Sequence, residues 1–174
     1  MSEPPLKKDA AMDSAELTAT AYHEAGHAVM AVSVGRPIQK VTIARGRMAF
    51  GVRLGACELQ KGRRKTSHDP LEDEALIYLA GMVAEAHCTG RYCPRGANQD
   101  LLAVARLLQS RAGSAPQLQK IQRRLLDKTE HILNDPSHAK AIQLIADELM
   151  VKTTVTGRAV RHFFEQAKAL VAKS

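Results

Sequence analysis

The segment Thr20-Ala21-Tyr22-His23-Glu24-Ala25-Gly26-His27-Ala28-Val29 lies in the middle of an apolar run that extends from Asp13 to Gly35. Asp13 has Glu16 three positions later, which is the pattern of a capping box at the start of a helix. Gly35, followed by Pro37, is typical of a helix end. The run therefore predicts one long helix from Asp13 to Gly35.

The spacing of the two histidines in this helix predicts a metal site. At about 100° and about 1.5 Å per residue, His23 and His27 lie about 40° apart around the axis and about 6 Å apart along it. The two imidazoles share one face, and zinc binds imidazole readily in tetrahedral geometry. Glu24 is displaced around the axis, so its carboxylate can reach a water on the metal but not the metal. This arrangement is typical of a zinc hydrolase.

The residues around the motif are alanines and valines, which predicts a largely buried helix. Two histidines and a glutamate buried without partners would cost several kcal/mol, so they need a metal ion or a hydrogen-bond network. Gly26 costs about 1 kcal/mol relative to alanine inside a helix, and close approach of another backbone would explain it. We therefore favour a buried zinc centre over two solvated histidines.

The composition of the whole chain favours a helical core. Of its 174 residues, 45% are apolar but only 3% are aromatic, with no tryptophan. Leu, Ile, Val, Ala and Met must build the core, and they suit helix packing better than a sandwich of sheets. We predict a mainly α (α+β) fold, with residues 1–12 as a flexible lead-in and residues 13–174 as a single domain.

The net positive charge is compatible with several classes of partner and does not distinguish among them. Twenty-five Lys and Arg against 18 Asp and Glu give a net charge of +7, which suits nucleic acid, membrane surfaces or acidic substrates. Nine of the basic residues lie between Arg36 and Lys65, where Glu58 is the single acid. We predict a solvated loop at 61–67, and the alternative is a docking strip for an acidic partner. Phe50 is the only aromatic residue in the strip, which argues against nucleic-acid binding.

Features of targeting and redox chemistry indicate a cytoplasmic protein. The sequence does not open with the basic segment and apolar run of a secretory signal. No stretch approaches the 18 apolar residues that a membrane span needs. Cys57, Cys88 and Cys93 are an odd number without a paired framework. We interpret Cys88 and Cys93 as free thiols, with a metal-binding or redox pair as the alternative.

After the first helix, the sequence predicts a small sheet and then five further helices. Ile38–Ile43 alternates apolar and polar residues as a strand does, Arg45–Arg47 is typical of a turn, and Met48–Leu54 can return as a second strand. Caps and breakers then delimit the helices, which we predict at Pro70 to about His87, Asn98 to about Arg111, Pro116–Asn134, Pro136 to about Val151, and Gly157 to about Ala172.

A catalytic zinc usually has three protein ligands and one open position, so the sequence must supply one more. The candidates are Glu85, His87, Cys88, Cys93 and Asp100. Chemistry alone does not rank them firmly, although acids on helices that face the first helix are natural suppliers. Asp100 also has another explanation, because the helix macrodipole favours acids in a first turn.

Four stretches, taken together, resemble the peptidase domain of FtsH-type AAA proteases. The first is the motif segment, and the others are Gly46-Arg47-Met48-Ala49-Phe50-Gly51, Leu79-Ala80-Gly81-Met82-Val83-Ala84-Glu85 and Gly96-Ala97-Asn98-Gln99-Asp100-Leu101. Their order and spacing are similar to those of the family over roughly Ala15 to Phe164. The resemblance implies a helical zincin-like peptidase domain with a small β-sheet.

The resemblance also implies roles for individual residues. It makes His23, His27 and Asp100 the zinc ligands, Glu24 the catalytic base, and Glu85 a carboxylate that supports the ligands. A strand that could hold an extended polypeptide by main-chain pairing would include Ala49, Phe50, Gly51, Val52 and Arg53. The implied function is that of a zinc-dependent metalloendopeptidase acting on unfolded or flexible polypeptides.

The sequence departs from the family in one respect that affects its function. FtsH-type proteases carry an ATPase module and usually membrane spans, but no G-x-x-x-x-G-K-[ST] phosphate loop occurs here. We expect a peptidase that is ATP-independent by itself, which leaves open a separate ATPase partner and a monomer, dimer or hexamer. The competing hypothesis is a zinc-containing binding or regulatory module without turnover. The intact Glu24 argues against it, because a structural site needs no adjacent base.

Overall fold

Six helices and five short strands form the part of the chain that the computed structural model describes, which is residues 8–44, 46–48, 51–53, 55–60, 69–93 and 97–174. The helices are α1 Lys8–Ser33, α2 Pro70–Thr89, α3 Asn98–Leu108, α4 Ala115–Leu133, α5 Pro136–Lys152 and α6 Gly157–Val171, with a 3₁₀ turn at Gln109–Arg111. The strands are β1 Ile38–Thr42, β2 Gly46–Met48, β3 Gly51–Arg53, β4 Ala56–Leu59 and β5 Thr154–Thr156. The predicted mainly α (α+β) class is confirmed.

Helix α1 is the central element, because α2, α5 and α6 all pack against it. Ala25 and Ala28 on α1 are completely buried. A Cβ added to Gly26 would lie 2.5 Å from the Ala80 carbonyl oxygen and 2.5 Å from Ala84 Cβ. Gly26 is therefore a point of close approach between α1 and α2, as its position in the sequence predicted.

The predicted ends of the helices agree with the structure to within three residues except at the start of α1. Backbone helix begins at Lys8, so the predicted cap Asp13 lies inside the helix. Ala10, Ala11 and Met12 are strong helix formers and extend the helix toward the N-terminus. Residues 1–7 of the predicted lead-in lie outside the described residues. At the other helix starts, the side chains of the predicted caps Asp69, Asp135 and Thr156 accept backbone N–H hydrogen bonds.

The sheet differs from the predicted one because β1 pairs with β4 and β5 and not with the predicted return strand. Strand β1 lies between β4 and β5 in an antiparallel sheet, and β2 pairs with β3 in a separate hairpin. The predicted turn at Arg45–Arg47 is wrong at Gly46 and Arg47, which belong to β2, and Arg45 lies outside the described residues. The predicted return strand at Met48–Leu54 is confirmed at Gly51–Arg53, which form β3, but β3 pairs with β2 and not with β1. Strand β4 is the better partner because it sets Glu58 opposite Lys40 and Cys57 opposite buried Val41.

Two further sequence predictions concern the loop and the membrane. The predicted solvated loop at 61–67 lies outside the described residues. Among the helices that are described, none is both long enough and apolar enough to cross a membrane.

Candidate metal centre

Three side chains converge where α1, α2 and the start of α3 meet. His23 Nε2 lies 3.0 Å from Asp100 Oδ2, and His27 Nε2 lies 3.4 Å from the same oxygen. The two imidazole rings are edge to face with centroids 4.7 Å apart, and both histidines are buried. We call His23, His27 and Asp100 the metal centre, since their ligand atoms all lie within 4.8 Å of one another.

The second nitrogen of each imidazole is held by α2. His23 Nδ1 lies 3.1 Å from Glu85 Oε2, and His27 Nδ1 lies 2.7 Å from the Ile77 carbonyl oxygen. A carbonyl oxygen only accepts hydrogen bonds, so His27 must donate its Nδ1–H to Ile77, and Glu85 favours the same tautomer of His23. Both Nε2 atoms are thereby directed toward Asp100. Such outer partners orient the histidines of metal sites.

The other candidates for a third ligand do not join this group. Glu85 contacts the outer nitrogen of His23, and His87 and Cys88 are exposed near the end of α2. Within the described ranges, the one group of side chains that could hold a metal ion contains neither these residues nor Cys93.

Gly81 on α2 provides the space into which the two Nε2 atoms point. A Cβ at this position would lie 2.6 Å from His27 Nε2 and 2.7 Å from His23 Nε2. Any side chain would therefore fill the space beside the nitrogens. Sequence reasoning placed Gly81 in the family-like segment but gave it no role, although a glycine inside a helix is itself a signal of close approach.

The donor set and its spacing fit a zinc ion. Two imidazole nitrogens and one carboxylate oxygen are ligands that zinc accepts at about 2.0–2.2 Å, and tetrahedral geometry then separates ligand atoms by about 3.3 Å. The observed separations from Asp100 Oδ2, 3.0 and 3.4 Å, agree with that value. The three side chains could therefore offer three ligand atoms to one metal ion, the number typical of a catalytic zinc site.

Charges are strongly coupled across the metal centre. Burial alone would lower the pKa of His23, but the hydrogen bonds to Asp100 and Glu85 outweigh burial and raise that pKa to about 10. Burial would raise the pKa of Asp100, but hydrogen bonds from His23 and His27 hold it well below its usual range. A metal cation bound here takes over the positive charge that the protonated His23 otherwise provides.

The Glu24 carboxylate lies against the residue that precedes β4. Glu24 is 7% exposed, and a Cβ at Gly55 would lie 2.7 Å from its Oε1. Burial, aided by the Glu24 charge, raises the pKa of the neighbouring Cys57 thiol. Sequence reasoning missed Gly55 and β4, although Gly55 precedes a short alternating segment that could have been identified as a strand.

Three of the five predicted substrate-binding residues lie in the hairpin. Gly51, Val52 and Arg53 form β3, whereas Ala49 and Phe50 lie outside the described residues. Strand β4 is an edge of the described sheet, and Gly55 brings it next to Glu24.

Residues 10–114 match the model of peptidase family M41. Three curated proteins with similar sequences are each named ATP-dependent zinc metalloprotease FtsH. Identity is 34% over 117 residues for the protein of Marinobacter nauticus, 33% over 103 for Chlamydia trachomatis and 35% over 108 for Metamycoplasma arthritidis. The matches cover 66%, 57% and 59% of this chain but only 18%, 11% and 14% of the relatives.

Proposed function

Because the chain belongs to peptidase family M41, we propose that it is a zinc-dependent metallopeptidase that hydrolyses peptide bonds. The observation that supports this most is the convergence of His23 Nε2 and His27 Nε2 on Asp100 Oδ2. The two outer nitrogens are held at the same time by α2. The relatives named zinc metalloproteases support the choice of metal.

His23, His27 and Asp100 are the residues that would hold the zinc ion. Zinc bound there supplies a Lewis acid that activates water and polarises a carbonyl group. Glu85 and the Ile77 carbonyl fix the two imidazole rings, so the ligands are oriented before the metal binds. Burial of the histidines limits competing contacts with solvent.

Glu24 is the proposed proton carrier. It follows His23 directly on α1, and its buried carboxylate lies against Gly55. In the proposed reaction, the Glu24 carboxylate accepts a proton from the attacking water and then donates it to the nitrogen of the leaving amine. A structural metal site needs no such carboxylate, and this difference distinguishes a peptidase from a zinc-containing binding module.

The proposed substrates are unfolded or flexible polypeptide segments. Among the described strands β4 has a partner on one side only, and its other edge can pair only with extended backbone; Gly55 places the first residues of β4 beside Glu24. The predicted hairpin residues around β3 would then contact the same chain further along. Hydrolysis of a segment that is already extended needs no nucleotide, whereas a folded substrate would first need an ATPase partner to unfold it.

Zinc removal and replacement test this proposal. Purified protein, its zinc content measured by atomic emission, is incubated with casein before and after treatment with 1,10-phenanthroline. We expect cleavage that stops on chelation and returns when stoichiometric zinc is added. A protein that holds one zinc ion but leaves casein and short unstructured peptides intact would contradict the peptidase and favour the binding module.

A further inference from the structure

A cavity of about 630 Å³ lies at the C-terminal end of β4. Its lining consists of two amides, one carboxylate and one apolar side chain, contributed by Gln39, Gln60, Glu58 and Leu59. Gln39 and Gln60 are exposed, so the cavity is accessible from solvent. None of the four residues belongs to the metal centre, and the proposed reaction uses none of their side chains. The cavity is therefore a candidate for a site that selects the substrate.

Strand β1 has one residue more than β4 beside this cavity. Ile38 pairs with Leu59 and Lys40 pairs with Glu58, so Gln39 has no partner of its own on β4. Such an extra residue is a β-bulge, and bulges are frequent next to functional sites because they change the direction of a side chain. The bulge residue Gln39 is the one residue of β1 that lines the cavity.

The cavity lies beside the edge of β4 that has no partner among the described strands. Gln60 donates its backbone N–H to the Pro37 carbonyl, 2.9 Å away on the β1 side. The backbone groups of successive residues in an antiparallel strand point to alternate sides, so those of Leu59 and Cys57 point away from β1. A substrate chain that pairs with this edge would set its side chains beside those of β4, on the same two faces of the sheet.

The cavity lies a few residues along β4 from the proposed proton carrier Glu24. Gly55 marks the position of Glu24, since a Cβ added there would lie 2.7 Å from Glu24 Oε1. At about 3.3 Å per residue of strand, Glu58 lies about 10 Å from Gly55 along the chain. The Glu58 side chain is 38% exposed. A substrate side chain beside Glu58 therefore belongs to a residue about three positions from the cleaved bond.

The charge next to this edge favours a cationic side chain. Lys40 Nζ lies 3.6 Å from Glu58 Oε1, across the pair that β1 makes with β4. Opposite charges on neighbouring strands stabilise a sheet, so a cation on the other side of Glu58 would extend the row to three alternating charges. The Gln39 and Gln60 amide oxygens can accept hydrogen bonds from that cation. Leu59 can contact the methylene groups of a long side chain.

We infer that Glu58, Gln39 and Gln60 form a subsite that binds a lysine or arginine side chain of the polypeptide substrate, about three residues from the cleaved bond. This inference rests on the proposed function, because it takes the edge of β4 as the substrate-binding strand, and it adds a specificity determinant to that function. Lysine and arginine both combine a long apolar stem with a terminal cation. An aspartate or glutamate at the same position would face Glu58, and like charges on neighbouring strands destabilise their pairing.

The specificity of cleavage tests the subsite. The zinc-loaded protein digests a library of unstructured peptides, and mass spectrometry gives the residues on both sides of every cut. We expect lysine and arginine to be enriched about threefold at one position about three residues from the cut, the effect of an exposed ion pair. Glu58→Gln should remove the enrichment, and Glu58→Lys should replace it with an enrichment of aspartate and glutamate.

The matched control is Glu165→Gln on α6. Glu165 is also exposed and also pairs with a lysine, since Lys168 Nζ lies 3.3 Å from its Oε1, and its replacement should leave the enrichment unchanged. Cleavage by the unmodified protein without preference at this position would overturn the subsite. A preference for acidic residues there would overturn it as well and assign selection to the basic residues of 61–65, which follow β4 in the sequence.

A binding measurement keeps the inference testable apart from turnover. Fluorescence anisotropy of labelled peptides that differ only in one Arg or Gln is measured with the zinc-loaded Glu24→Gln protein at low and high salt. Tighter binding of the Arg peptide that weakens with salt, is lost in Glu24→Gln/Glu58→Gln and is kept in Glu24→Gln/Glu165→Gln supports the subsite. Equal binding of the two peptides, or binding of neither, would overturn it. A preference for the Arg peptide without any cleavage by the unmodified protein would contradict the proposed function alone.

Discussion

Asp100 Oδ2 lies 3.0 Å from His23 Nε2, although the two residues are separated by 77 positions in the chain. The contact joins the first turn of α3 to the middle of α1. It brings a carboxylate to the imidazole face that the histidine spacing alone had defined. The metal centre therefore depends on how α3 is placed against α1 and α2.

Replacing Asp100 with asparagine should remove the third zinc ligand while conserving the shape of the side chain. We expect zinc affinity to fall more than about 100-fold, beyond the loss typical of outer partners. Competition with a chromophoric chelator measures it. Asp127→Asn, on the exposed surface of α4, is the matched control. Zinc affinity equal to that of the unmodified protein would show that another group is the third ligand.

Gly81→Ala tests whether the space between the imidazoles is required. Alanine is favoured over glycine in a helix by about 1 kcal/mol, so a purely structural position would gain stability. Here the added Cβ would contact both Nε2 atoms, and we expect zinc binding to be lost. Gly113→Ala is the control, because its Cβ would meet only Gln117 Oε1, at 3.4 Å. Unchanged zinc affinity in Gly81→Ala would contradict the described geometry.

The residues of the metal centre differ in how far the sequence alone could predict their placement. The relative placement of His23, Glu24 and His27 was predictable because they lie within two turns of one helix, where spacing alone sets geometry. Asp100 was not, since local chemistry left five candidates and only the family resemblance chose among them. The Ile77 contact was beyond prediction, because its acceptor is a backbone carbonyl and side-chain identity carries no information about it.

The same difference between local and long-range contacts explains which parts of the fold were predicted. Helix caps such as Asp69 and Asp135 were predicted because each bonds to its own first turn. The pairing of β1 with β5 was missed because β5 follows β1 by more than 100 positions in the chain. Short strands carry too little pattern to identify partners at that separation.

Gly55→Ala should affect catalysis without affecting the metal. The added Cβ would lie 2.7 Å from Glu24 Oε1, so the carboxylate must move. A displacement of about 1 Å at a catalytic group can cost about 100-fold in rate. We expect kcat to fall by up to that factor while zinc stoichiometry stays the same. Loss of zinc in parallel with activity would show that Gly55 supports the metal centre instead.

The stability of the metal-free protein should depend on pH through His23 and Asp100. The raised pKa of His23 gives a contribution that is complete below its unfolded value of 6.5 and is lost as pH rises toward about 10. The depressed pKa of Asp100 gives one that is complete above 3.8 and is lost at lower pH. Both contributions are therefore complete only between about pH 4 and 6.5.

Urea unfolding of chelator-treated protein at pH 5, 7 and 9 measures this dependence. We expect the free energy of unfolding to fall by on the order of 2 kcal/mol from pH 5 to pH 9. Glu85→Gln removes the negative charge from one of the two acceptors of His23 and should flatten the profile. A profile identical in the two proteins would show that the Glu85 contact does not stabilise the protonated histidine.

Glu24 is the residue proposed to move protons at a zinc ion held by His23, His27 and Asp100. Glu24→Gln keeps the size of the side chain and removes its capacity to accept a proton. The most direct measurement compares casein cleavage by the two proteins after each is loaded with one equivalent of zinc. We predict cleavage by the unmodified protein and a loss of at least about 100-fold in Glu24→Gln. Equal cleavage by both proteins at equal zinc content would show that Glu24 is not the proton carrier.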